Sequence, residues 1–146
     1  TTWSSWGELL DRMEVYALTM PQRAKHIEEL LAKWQFTDAR VYFGMLRENV
    51  RLEHWAKAGR IALNENVNVG RVACHFGHRA IMQDFLNNSP ISKRFVLIFE
   101  DDLVETPTEE MQRGLLDFLS AVPDDFDILH LGFLWECRET REKVSD

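Results

Sequence analysis

The sequence predicts an α/β fold with a mainly parallel sheet, and three observations carry that prediction. The first is Phe95-Val96-Leu97-Ile98-Phe99, five consecutive β-prone apolar residues that read as a strand buried on both faces. The second is that Glu100-Asp101-Asp102 follow with no spacer, at the carboxyl end of that strand, where open α/β sheets bind their ligands. The third is the alternation of strand-like and helix-like segments along the chain, which implies right-handed crossovers between parallel strands.

Taken in order, Val15-Tyr16-Ala17-Leu18 reads as a short strand. Pro21 stands where a first helical residue would, ahead of Ile27, Leu30, Leu31 and Trp34 at helical spacing. Val41-Tyr42-Phe43 reads as a second strand ending at Gly44, and residues 45–58 as a weakly periodic helix around Leu46, Val50 and Trp55. Residues 64–70 are a loop by composition. Across residues 72–85, Ala73, Phe76, Ala80, Ile81 and Phe85 recur as on one helix face, up to a polar turn at Asn87-Asn88-Ser89-Pro90.

Beyond the acids, Thr106-Pro107-Thr108-Glu109 has the form of a capping box with proline at the first helical position, and Met111, Leu115, Phe118, Leu119 and Val122 continue the apolar face. Asp127-Ile128-Leu129-His130-Leu131 reads as one more strand, stopped by Gly132.

Composition bounds the class. A chain of 146 residues is about one domain, residues 1–146, and 45% hydrophobic residues with 9 Phe and 5 Trp argue for a packed core over disorder. A formal charge of −7 argues against a nucleic-acid binder, which needs a basic stripe to contact phosphates. No apolar run reaches the roughly 18 residues of a membrane span, and the first residues form no signal peptide, so no transmembrane segment and a cytoplasmic location are expected. The missing initiator Met leads to the expectation that the chain is a piece of something longer. Cys74 and Cys137 are one possible bridge and say little about redox compartment.

The acids suit a hard divalent cation holding a phosphate-bearing substrate; a solvated turn is the competing reading. Strand alternation places Glu100 and Asp102 on one side and Asp101 on the other. A histidine near the start of a helix, His78, either helps hold an anion there or is a half-buried histidine bonded to a neighbouring loop. Arg23 either contacts a phosphate bidentately or forms a surface ion pair with Glu14 or Glu28. Cys74 and His78 stand four apart, a spacing that metals use, but His130 and Cys137 are remote in sequence and zinc is not favoured.

Several of these segments together resemble glycosyltransferase family 25, the lipopolysaccharide and procollagen-type galactosyltransferases. The shared pieces are the opening strand Val15-Tyr16-Ala17-Leu18 with Arg23, then Ala73-Cys74-His75-Phe76-Gly77-His78, then the apolar strand ending in Glu100-Asp101-Asp102, then Asp127-Ile128-Leu129-His130-Leu131-Gly132. Their order and spacing agree across residues 14–132.

The resemblance implies a GT-A-like nucleotide-binding α/β/α sandwich. It also implies transfer of a sugar, commonly galactose, from a UDP-sugar to a carbohydrate or hydroxyl-bearing protein acceptor. Mn²⁺ (or Mg²⁺) is the implied cofactor, with Glu100 and Asp102 as metal residues and Thr19, Arg23, His78 and Asp101 as nucleotide-sugar residues. Catalytic residues are not assigned.

The chain departs from the family at Leu18-Thr19-Met20, where Asn-Leu is usual, at Ala73 in place of Gly, and at Gly77 in place of the Ser before the histidine. Little follows Gly132, so the acceptor half is expected to lie outside this chain. Two rivals stand beside the transferase. A phosphoreceiver domain also has an apolar strand ending in Glu-Asp-Asp, but needs an aspartate closing a later strand, where Asp127 opens one. A catalytically silent, transferase-like interaction module fits the departures.

Overall fold

The computed structural model describes residues 3–64, 67–102, 108–123 and 125–131. It divides into two compact units, Arg12–Thr106 and a second formed by Thr1–Asp11 with Pro107–Asp146. The fold is mixed α/β, and its sheet lies wholly in the first unit.

That sheet has three parallel strands in the order β2-β1-β3. β1 spans Met13–Thr19, β2 Arg40–Phe43 and β3 Phe95–Glu100. Every residue of β1 is buried, because it is the middle strand and is covered on both faces. Deep burial on both faces, expected of β3, is corrected: among the described residues β3 is an edge strand, and Phe95 to Phe99 are only half-buried. An uninterrupted apolar run marks a strand with covered faces, but it does not tell a middle strand from an edge.

The helices obey their local signals. Pro21 opens a 3-10 turn, Pro21–Arg23, that leads into α2, Ala24–Lys33; α1 is the earlier helix Trp6–Arg12. Ile27, Leu30 and Leu31 of α2 are buried, and Trp34 stacks on Phe36, whose ring lies 6.0 Å from that of Phe99. On the other face Tyr16, Leu18 and Ile81 form a buried cluster, joined by Tyr42, Phe85, Val96 and Ile98. Ile81 belongs to α4, Val69–Asn88, so a helix covers each face of the sheet in this unit.

Residues 45–58 are not one helix. A 3-10 turn at Arg47–Asn49 and the short α3, Leu52–Lys57, are separated by Val50 in an extended conformation (φ −82°, ψ 117°). α4 starts before the expected residue 72, because the Asn68 side chain accepts a hydrogen bond from the Arg71 N–H at 2.9 Å and caps it. The cluster is braced by Arg40, which pairs with Glu14 at 2.8 Å and with Asp84 at 3.1 Å, while the Tyr16 hydroxyl donates to Asp84.

In the second unit α5 spans Glu109–Ala121, and its cap is Thr108, whose hydroxyl accepts from the Met111 N–H at 3.1 Å. Thr106 and Pro107 of the expected capping box lie outside the described residues. Within the same unit the Trp3 N–H donates to the Ser120 hydroxyl at 3.0 Å. The strand expected at Asp127-Ile128-Leu129-His130-Leu131 is corrected: the segment is irregular, with no strand paired to it among the described residues and Ile128 and Leu131 exposed. Gly132 and Cys137 lie outside the described residues. No described helix is long and apolar enough to cross a membrane.

Candidate functional site

The parallel register decides what meets at the carboxyl edge of the sheet. Leu18 pairs with Glu100 and Thr19 with Phe43, so β1 and β3 end level and the chain leaves both at the same height. The alternation of a strand then sends successive carboxylates to opposite faces. Glu100 faces α4; Asp101 faces the turn that opens α2.

Asp101 is held from several sides. Its Oδ2 accepts from the Thr19 hydroxyl at 2.7 Å and from the Met20 N–H at 3.3 Å, and its Oδ1 accepts from Arg23 Nη1 at 2.6 Å. Arg23 Nη2 donates to the Asp101 carbonyl oxygen at 2.6 Å. Thr19, Arg23 and Asp101 are therefore brought together, and each satisfies the others. Arg23 makes neither of the ion pairs weighed for it, since Glu14 is taken by Arg40.

Glu100 is differently placed. Its Oε1 accepts from the Cys74 thiol at 3.3 Å and lies 3.1 Å from His78 Nε2. A carboxylate can only accept, so the imidazole presents its Nε2 proton. The hydrogen bond from His78 holds the Glu100 carboxyl below its usual range, against the opposing effect of burial. Burial foremost, then the hydrogen bond to Glu100 and the charges of Glu100 and Asp102, push the Cys74 thiol up to about 11, so it is a protonated donor at neutral pH. Cys74 and His78 reach one carboxylate because residues four apart share a helix face.

His78 lies well inside the 20-residue α4 and not near its start, because the helix begins at Val69. The field of a helix terminus is confined to its first turn, so it does not reach an anion held at His78. Asp102 follows in the turn and is exposed. Among the described residues, Cys74, His78 and Glu100 are the metal-capable group, their ligand atoms within 4.8 Å of one another; Asp102 is not one of them.

A cleft of about 330 Å³ opens between these elements. Thr19, Arg47, Gly70, Cys74, Glu100 and Asp101 are among its walls. Gly70 lets the Arg47 side chain lie close, since a Cβ there would stand 3.0 Å from Arg47 Nη2 and the guanidinium would have to shift by a few tenths of an ångström. Arg47 and Gly70 escaped the sequence reading: both sit in segments without periodicity, and only the chain path brings them to the carboxylates. The Cys74/His78 spacing was visible in the sequence, but its third partner is Glu100 and needed the register of β3.

No protein-family model matches the chain, and no curated protein or solved structure matches it either.

Proposed function

We propose that this chain carries the nucleotide-sugar-binding part of a metal-dependent glycosyltransferase, which moves a sugar, galactose first among the candidates, from UDP to a hydroxyl of a carbohydrate or protein acceptor. The observation that carries the reading is the cleft at the carboxyl ends of the parallel strands, whose walls include Glu100, Asp101 and Arg47. Ligands of open α/β sheets bind at that edge, and a guanidinium matches a phosphate bidentately.

Glu100 and Asp102 are hard oxygen donors two residues apart in sequence, which suits Mn²⁺ or Mg²⁺. Such an ion, when bound, neutralises the charge that develops on a diphosphate leaving group. Thr19, Arg23 and Asp101 fix the turn between β1 and α2 that forms the cleft wall, and His78 orients Glu100.

Calorimetry with UDP in the presence of Mn²⁺ tests the reading: UDP should bind the chain, and the signal should be lost in Asp102→Ala. Unchanged binding in that variant overturns the metal assignment. One observation favours a second reading, a transferase-like module without catalysis, because Thr19, Arg23 and Asp101 bond to one another instead of facing outward. UDP release from UDP-galactose, with and without an acceptor, separates the two.

A further inference from the structure

Three side chains from two elements converge at the cleft with a donor set that hard cations do not favour. Cys74 and His78 project from one face of α4, and Glu100 closes β3; the thiol sulfur lies 3.3 Å and the imidazole Nε2 3.1 Å from the same carboxylate oxygen. All three ligand atoms fall within 4.8 Å of one another. Zinc bonds of about 2.0–2.3 Å at tetrahedral angles separate ligand atoms by about 3.2–3.6 Å, so the thiol and the imidazole each need to part from the carboxylate by a few tenths of an ångström and to approach one another by up to about 1 Å to admit an ion.

We propose that Cys74, His78 and Glu100 form a three-ligand site for zinc, with its fourth position open to the cleft. The proposal does not rest on the transferase reading, because it concerns the protein without nucleotide. Sulfur and imidazole nitrogen select zinc over Mg²⁺ or Mn²⁺, which prefer oxygen. Three protein ligands with one vacancy are the pattern of zinc sites that take up water or a ligand oxygen, whereas a closed structural site has four. Cys74 and Glu100 both line the cleft, so the vacancy faces its interior. On binding, the ion replaces the thiol proton, which is released, and the imidazole coordinates through Nε2 with its proton moved to Nδ1.

The ligands stand on regular elements, Cys74 and His78 on a 20-residue helix and Glu100 at the end of a strand paired to the middle of the sheet. The neighbouring Asp102 adds negative charge close enough to act on Cys74, which favours a divalent cation further.

Cobalt(II) titration of the metal-free chain tests the site, since a thiolate on cobalt gives an intense near-ultraviolet charge-transfer band. The expected result is a band that saturates at one equivalent, is bleached by one equivalent of zinc and is untouched by excess Mg²⁺. Cys74→Ser should abolish it and Cys137→Ser should leave it whole. Glu100→Gln and His78→Gln should each weaken zinc by more than the roughly 10–100-fold typical of losing an outer-shell partner.

A band that survives Cys74→Ser, or that goes with Cys137, overturns the proposal. A second measurement needs no variant: zinc should slow maleimide labelling of Cys74, and equal labelling with and without zinc also overturns it. UDP binding with Mn²⁺ alongside a failed cobalt titration removes this site alone, and the reverse pattern removes the transferase reading alone.

Discussion

Leu18 rests on Gly77 so closely that a Cβ at position 77 would stand 2.8 Å from Leu18 Cδ1 and 2.9 Å from Cδ2. Leu18 is 6% exposed and sits in the cluster with Tyr16 and Ile81, so its methyls have little room to retreat. The glycine lets α4 approach β1, and this approach is what brings Cys74 and His78 to Glu100.

Substitution at this contact should cost stability. In Gly77→Ala, overpacking costs about 1–3 kcal/mol and the better helix propensity of Ala offsets about 1. A net loss of about 1 kcal/mol is expected, lowering Tm by roughly 4–8 °C for a unit of this size. Pairing it with Leu18→Val should recover part of the loss relative to the sum of the two singles. Additive melts would remove the contact as the cause.

Asp101 should matter to the fold more than its exposed partner does. Asp101→Ala leaves the Thr19 hydroxyl and the Met20 N–H without their acceptor and should cost about 1–3 kcal/mol. Arg23→Ala removes a cation whose side chain is 45% exposed and should cost less than about 1 kcal/mol. Chemical denaturation of both variants checks the order; equal losses would contradict it.

Tyr16 gives the structure an alkaline limit. Burial first, then donation to Asp84, raise the phenol from 10.0 to about 12. The folded value lies above the unfolded one, so this stabilisation is complete below pH 10 and is lost as pH rises towards 12. Tyr16→Phe should cost about 1 kcal/mol at neutral pH and flatten the decline above pH 10. Denaturant midpoints measured across that window test both expectations.

Core and site should respond oppositely to charge. Ile98→Asp places a carboxylate against Tyr16 and Ile81 and should destabilise by about 3 kcal/mol or more. Asp102→Asn changes an exposed turn residue and should fall within about 0.5 kcal/mol of the parent. A thermal melt of each variant decides, and collapse of Asp102→Asn with Ile98→Asp intact would invert the assignment.

What was legible in the sequence was local. Apolar β-prone runs located β1, β2 and β3, Pro21 and Gly44 marked their neighbouring turns, and the spacing of Ile27, Leu30 and Leu31 located α2. Strand alternation also put Glu100 and Asp101 on opposite faces, since it depends only on backbone geometry. The rest needed partners distant in the chain. Among the described residues Asp127-Ile128-Leu129-His130-Leu131 has strand composition yet no strand beside it, and β3 has the richest apolar run yet lies at the edge. The neighbours of each acid were set by the β1–β3 register and by the close approach of α4 over Gly77. Periodicity records which face a residue takes. Which side chains wait on that face is decided by packing between segments that the sequence holds far apart.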